Sequence, residues 1–97
     1  MDPDQSPVYS RIRQNPEVVS SRVGDGGILV HLHTNRIFEL NATGVRIWEL
    51  LGENRALSEI EAVLQAEFEG DREQVRADLL ALVQALAAEK LIDEERS

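Results

Sequence analysis

The side chains most suited to chemistry in this sequence are two histidines in its first half. His31 and His33 are two residues apart in "ILVHLH", so in a strand both imidazoles lie on the same face of the sheet. Two imidazoles at this spacing can hold a metal, but a zinc site takes further ligands. No third ligand is obvious, and the nearest carboxylate before the histidines in the sequence is that of Asp25. Two solvent-exposed histidines are therefore the favoured interpretation.

The remaining motifs do not complete a catalytic site. Ser20 and Ser21 have no base placed beside them by a known motif. The stretch "GDGG" (Gly24–Gly27) lacks the lysine and the strand-to-helix context of a phosphate-binding loop, and a turn explains its glycines. The chain has no cysteine, which excludes thiol catalysis and thiolate metal sites. We therefore expect no enzyme activity, no metal and no cofactor.

Composition limits the partners and the location. The 97 residues suffice for one domain. With 10 Lys and Arg against 18 Asp and Glu, the formal net charge is −8, which opposes binding to phosphate backbones. No apolar run is long enough to span a membrane, the N-terminus does not resemble a secretion signal, and the lack of cysteine suits the cytoplasm. We expect a cytoplasmic protein that binds neither membranes nor nucleic acid.

The prolines mark a domain boundary. All three lie among the first 16 residues, in a polar segment without periodicity. This composition predicts a flexible N-terminal arm over residues 1–16, a folded domain over residues 17–93 and a tail over residues 94–97.

Three strands are predicted in the first half of the domain. "VVSSRV" (Val18–Val23) is followed by the glycine turn, and "ILVHLH" (Ile28–His33) alternates its apolar residues between two faces. Thr34–Asn35 has the length of a tight hairpin turn before "RIFEL" (Arg36–Leu40). The prediction is an antiparallel meander with the second strand in the centre.

Three helices are predicted after the strands. Asn41 or Thr43 caps the start of the first helix, and Gly52 ends it. Ser58 and Glu61 form a capping box at the start of the second. The other boundaries are Gly70 for the end of the second helix, Asp71 with Gln74 for the start of the third, and Glu89 for its end. Trp48, from its place on the first helix, and Leu91 and Ile92, after the third, are expected in the core. The predicted fold class is α+β, a three-stranded antiparallel sheet followed by three helices that resembles a winged helix-turn-helix.

The third helix carries an apolar face wider than one core requires. Either the domain buries the helix on two sides, or one stripe packs inside and the other lines a groove. The first stripe is Val75, Leu79, Leu82 and Leu86, and the second is Leu80, Val83 and Ala87.

Two binding functions are compatible with this outline. A winged-helix DNA-binding regulator would read DNA with the third helix, whose suitable polar residues are Arg72, Arg76 and Gln84. Carboxylates on the same helix and the negative net charge would repel the phosphates of DNA. Alternatively, a peptide would pair with the free edge of Arg36–Leu40. An ordinary edge strand protected by its charges, Arg36 and Glu39, would have the same sequence, so residue chemistry alone leaves the second function open.

Two blocks carry a combined pattern, "FELNATGVRIWELL" (Phe38–Leu51) and "LSEIEAVLQAEFEGDREQVRADLLALVQALAAEKLI" (Leu57–Ile92). Together they resemble the PqqD-like family, whose members recognise the precursor peptides of ribosomally made, modified natural products. The family pattern combines "L-N-x-T-[GA]-x-x-I-W-x-L-L" with an "EI…L…F" helix and a "V…D(V/L)…L…L…L(I/L)" helix, and the resemblance covers about residues 17–93. The matching residues are Leu40, Asn41, Thr43, Gly44, Ile47, Trp48, Leu50, Leu51, Ile60, Leu64, Phe68, Val75, Asp78, Leu79, Leu82, Leu86, Leu91 and Ile92.

The resemblance implies a winged-helix-like fold in which a leader peptide pairs with the third strand and lies in the cleft beside the third helix. It leaves open which stripe of that helix faces the peptide, and whether Phe38 packs in the core or lines the groove. The peptide-binding residues carried over are Arg36, Ile37, Phe38, Glu39 and Leu40 on the strand, and Val75, Arg76, Leu79, Leu80 and Val83 on the helix.

The resemblance also implies partners. Family members present the leader to a radical enzyme in pyrroloquinoline quinone synthesis, or to a leader peptidase and a cyclase in lasso-peptide synthesis. The Thr43–Gly44 and Ile47–Trp48 pairs favour the lasso type. We expect a monomer or a weak dimer, since an exposed strand edge can pair with its own copy.

Overall fold

The computed structural model describes residues 11–68 and 70–95 and contains five strands and three helices. Three of the strands form one sheet, and the first and last form a separate two-stranded ribbon. In chain order the elements are β1 (Arg11–Gln14), β2 (Val18–Val23), β3 (Gly26–His31), β4 (Arg36–Leu40), α1 (Ala42–Leu51), α2 (Leu57–Glu67), α3 (Arg72–Ala88) and β5 (Ile92–Glu95).

The predicted meander and fold class are confirmed. β2, β3 and β4 are antiparallel neighbours with β3 in the centre, and Gly24 adopts φ 59 in the turn before β3. The second turn differs from the prediction, because β3 ends at His31 and four residues, 32–35, connect it to β4. Asn35 adopts φ 63 there, a left-handed conformation that asparagine tolerates better than most residues.

The ribbon of β1 and β5 was not predicted. Arg11–Gln14 pairs antiparallel with Ile92–Glu95, and Ile12 is 1% exposed in the core. The structure therefore differs from the predicted arm at residues 11–14 and from the predicted tail at residues 94 and 95, while residues 1–10 lie outside the described part. A single apolar residue in "RIRQ" gives no periodicity to detect, and its partner strand is about 80 residues away along the chain.

The caps of α1 agree with the sequence. The Asn41 side-chain oxygen accepts the Gly44 N–H at 2.8 Å, so Asn41, not Thr43, is the N-cap, and Gly52 is the C-cap as predicted. With this cap α1 starts two residues after β4 ends, so a single residue, Asn41, connects the strand to the helix.

The predicted caps of the other helices are only partly right. α2 begins at Leu57, and the Glu59 carboxylate accepts the Ala56 N–H at 2.9 Å, so the Ser58–Glu61 box is wrong. The Asp71 carboxylate caps α3 by accepting the Glu73 N–H at 2.9 Å. Gln74 does not complete a second box, because its side chain donates to Asp78 instead.

The core lies between the inner face of the sheet and the three helices. Trp48 is buried, as expected from its place on α1, and the predicted return of Leu91 and Ile92 to the core is confirmed. On α3 the buried residues are Leu79, Val83 and Leu86, which belong to both predicted stripes. No helix in the described part of the chain is long and apolar enough to cross a membrane.

Candidate peptide-binding groove

The hydrogen bonds of β3 determine which backbone groups of β4 are free. The Leu32 N–H donates to the Glu17 carbonyl oxygen at 2.8 Å. Glu17 and Leu32 are the next pair after Val18 and His31 in the β2–β3 register, and they are therefore a hydrogen-bonded pair. Hydrogen-bonded and non-hydrogen-bonded pairs alternate along an antiparallel ladder. The even-numbered residues of β3 therefore direct their backbone groups to β2, and the odd-numbered residues direct theirs to β4.

The same alternation leaves two residues of β4 with outward backbone groups. Phe38 is opposite Leu29, so its N–H and C=O bond to β3. Ile37 and Glu39, on either side of it, direct their N–H and C=O groups away from the sheet. No strand pairs with this edge among residues 11–68 and 70–95, so an added strand would bond to Ile37 and Glu39.

The side chains of β4 alternate between the inner and the outer face of the sheet. Phe38 and Leu40 share the inner face with the buried Leu29, and Phe38 is half-buried against the core. Ile37 lies on the outer face and is 65% exposed. The sequence left open whether Phe38 packs in the core or lines a groove. The ring does both, because it packs on the core and also lines the groove described next.

An open groove of about 390 Å³ runs beside this edge, and we call it the β4–α3 groove. One wall is the strand, the other is α3, and the floor is the start of α1. Its lining residues are Phe38, Glu39, Leu40, Asn41, Thr43, Gly44, Ile47, Asp78, Ala81 and Leu82. The floor exists because Asn41 starts α1 directly after β4, so no long loop covers the strand.

The helix wall consists of residues other than the five carried over from the resemblance. Leu79 and Val83 are 1% and 0% exposed in the core. Arg76 lies on the α2 side, with its Nε 3.9 Å from the Glu61 carboxylate. Leu80 is half-buried and outside the lining of the groove, and Val75 lines a different groove.

Asp78, Ala81 and Leu82 form the helix wall instead. Leu82 belongs to the first predicted stripe, so one residue of that stripe lines the β4–α3 groove. Asp78 and Ala81 belong to neither predicted stripe, and the rotation of α3 about its axis places them on the groove.

An ion pair lies at the other end of β4. The Arg36 Nε is 3.0 Å from the Glu89 carboxylate at the end of α3, and both side chains are partly exposed, so the pair contributes little stability. The pair connects β4 to the end of α3. A peptide that contacts the Arg36 guanidinium would therefore meet a group that is already paired with the Glu89 carboxylate.

The histidines do not form a metal site with other described residues. The expectation of two exposed histidines is wrong for His31, which is 5% exposed, while His33 is exposed. The His31 Nδ1 accepts the His33 N–H at 3.2 Å, which gives the ring a structural role next to the turn. Within the described part of the chain, no three His, Cys, Asp or Glu side chains are grouped as metal ligands.

Comparisons with solved structures support this fold. TbiB1 in complex with the TbiA(beta) leader peptide is 36% identical, with a TM-score of 0.77, and the match covers 88% of this chain and 99% of that one. A lasso peptide synthetase B1 complexed with the leader peptide is 23% identical, with a TM-score of 0.74 over 84% of this chain and 96% of that one. No curated protein sequence matches.

A family profile matches most of the same region. The profile of coenzyme PQQ synthesis protein D (PqqD) matches residues 26–92, from the start of β3 to the start of β5. This range contains the free strand edge, all three helices and every residue that lines the β4–α3 groove. The chain belongs to the PqqD family.

Proposed function

We propose that this protein binds the leader region of a ribosomally synthesised precursor peptide by adding it as a strand beside β4. The observation that carries the proposal is the free backbone of Ile37 and Glu39 next to a groove that is lined by both apolar and polar residues. Main-chain hydrogen bonds would supply affinity, and the groove would select the side chains that alternate toward it. The solved structure of TbiB1, which is 36% identical in sequence to this chain, contains a bound leader peptide.

The protein would act without catalysis, by holding the precursor near a second protein. Binding one end of a substrate raises its effective concentration at an enzyme that shares the complex. The partner would be a leader peptidase, a cyclase or a radical enzyme, and the Thr43–Gly44 and Ile47–Trp48 pairs favour the lasso-peptide type. The fold shared with a lasso peptide synthetase B1 is compatible with that choice.

The geometry does not favour DNA binding. Arg76 lies near Glu61 on the neighbouring helix, and exposed carboxylates of Glu73 and Asp78 lie on the same helix as Arg72. A reading helix needs cationic and amide groups free to reach phosphates and base edges. The net charge of −8 adds a repulsive field.

A titration tests the proposed function. The probes are the fluorescently labelled TbiA(beta) leader peptide, the labelled leaders of short precursors encoded beside the gene, and a labelled DNA duplex at the same ionic strength. We expect saturable binding of at least one leader and none of the duplex. Binding of the duplex with no binding of any leader would show that the function lies elsewhere.

A further inference from the structure

A second groove, of about 360 Å³, lies between α2 and α3, and we call it the α2–α3 groove. It meets the β4–α3 groove at two residues, Thr43 and Asp78, which line both. The two grooves are therefore adjacent, one beside the edge of β4 and the other between the second and third helices, with the start of α1 next to both.

The floor of the α2–α3 groove is apolar and its rim is acidic. Leu64 is buried beneath it, while Phe68 and Val75 are half-buried and leave apolar surface facing the groove. Two carboxylates, Asp71 and Asp78, lie at the rim. Such a pocket suits an apolar side chain beside a positive charge, and disfavours an acidic residue.

The walls of this groove are held in place by contacts between helices. The Gln65 side chain of α2 donates to the Arg72 carbonyl oxygen of α3 at 3.0 Å. The Arg46 guanidinium of α1 binds both oxygens of Glu67, at 2.9 and 2.6 Å, directly before Phe68. The α2–α3 groove is therefore formed before any ligand arrives, which lowers the cost of binding.

The direction of an added strand determines which part of a peptide would reach this groove. A strand that continues the meander runs antiparallel to β4, so its N-terminal end lies beside Leu40. Three residues after Leu40 comes Thr43, which lines both grooves. Peptide residues that precede the paired segment would then pass Thr43 and Asp78.

Because the two grooves share Thr43 and Asp78, we infer that the α2–α3 groove is a second subsite of the same peptide. It binds an apolar side chain from the segment that lies N-terminal to the residues paired with β4. This inference rests on the proposed function, and it adds a specificity element that the strand pairing lacks, because backbone hydrogen bonds are insensitive to sequence.

The test combines truncation of the peptide with filling of the groove. The probe is the TbiA(beta) leader or, if it binds more tightly, the leader encoded beside the gene, together with a nested series of N-terminal truncations. Gln74→Trp fills the rim of the α2–α3 groove from an exposed position of α3. Gln84→Trp is the matched control, because Gln84 is also exposed on α3 and lines neither groove.

For the wild type and Gln84→Trp, removing the N-terminal segment should weaken binding by about tenfold, the loss expected for one partly buried apolar side chain. For Gln74→Trp, the full leader should bind about as weakly as the truncated one, so the two changes do not add. Equal losses on truncation in all three proteins would overturn the second subsite and leave strand addition standing. Failure of every leader to bind the wild type would instead overturn the proposed function, and the subsite with it.

Discussion

Ile37→Pro is expected to weaken leader binding by about 100-fold while the domain stays folded. Proline lacks the N–H that Ile37 directs outward, and its ring would meet the added strand, so at least one main-chain bond and the close approach around it are lost. The ladder to β3 does not use that N–H, and proline is tolerated where the N–H of an edge strand faces solvent. Peptide titration and a thermal melt measure the two effects.

Ile37→Ala is the control for this substitution. It keeps the N–H and removes only a side chain that is 65% exposed on the outer face, so its affinity should remain within about threefold of the wild type. Phe38→Pro, by contrast, removes a bond to β3 and should destabilise the sheet. If Ile37→Pro binds the leader as tightly as Ile37→Ala does, the peptide does not pair with this edge.

Phe38→Ala is expected to reduce both stability and affinity. The half-buried ring packs on the core, so its removal should cost about 1.5–3 kcal/mol, less than the 3–5 kcal/mol of a fully buried phenylalanine. The ring also lines the β4–α3 groove, so leader affinity should fall by about tenfold. Denaturant unfolding and peptide titration of the same preparation measure both quantities.

Phe68→Ala provides the matched comparison. Phe68 is the other phenylalanine of the chain, is also half-buried against the core, and lines the α2–α3 groove but not the β4–α3 groove. With an N-terminally truncated leader, Phe68→Ala should lose stability but keep its affinity. An equal loss of affinity in both variants with that short peptide would mean that the Phe38 effect comes from reduced stability alone.

Local signals in the sequence predicted the elements that depend on neighbouring residues. The alternation in Ile28–His33 predicted that Leu29 and His31 share one face of the central strand, but not that this face is the buried one. Asn41 and Gly52 marked both ends of α1. The position of Trp48 predicted its burial. Each of these features is determined within about ten residues, so periodicity and capping chemistry suffice.

Features that depend on contacts distant in sequence were not predictable in the same way. The partner of β1 lies at the other end of the chain, and Ile12 alone gives no strand signal. The helix wall of the groove depends on the rotation of α3, which buried Leu79 and Val83 and turned Asp78 and Leu82 toward β4. A helix with apolar residues on several faces does not fix that rotation by its own pattern.

Amide hydrogen exchange at single-residue resolution, with and without a saturating leader peptide, tests strand addition most directly. In the free protein the Phe38 amide should already exchange slowly, because it bonds to β3, while the Ile37 and Glu39 amides should exchange fast. Bound leader should slow exchange at Ile37 and Glu39 and change Phe38 little. Unchanged exchange at both Ile37 and Glu39 in the saturated complex would contradict binding by strand addition to β4.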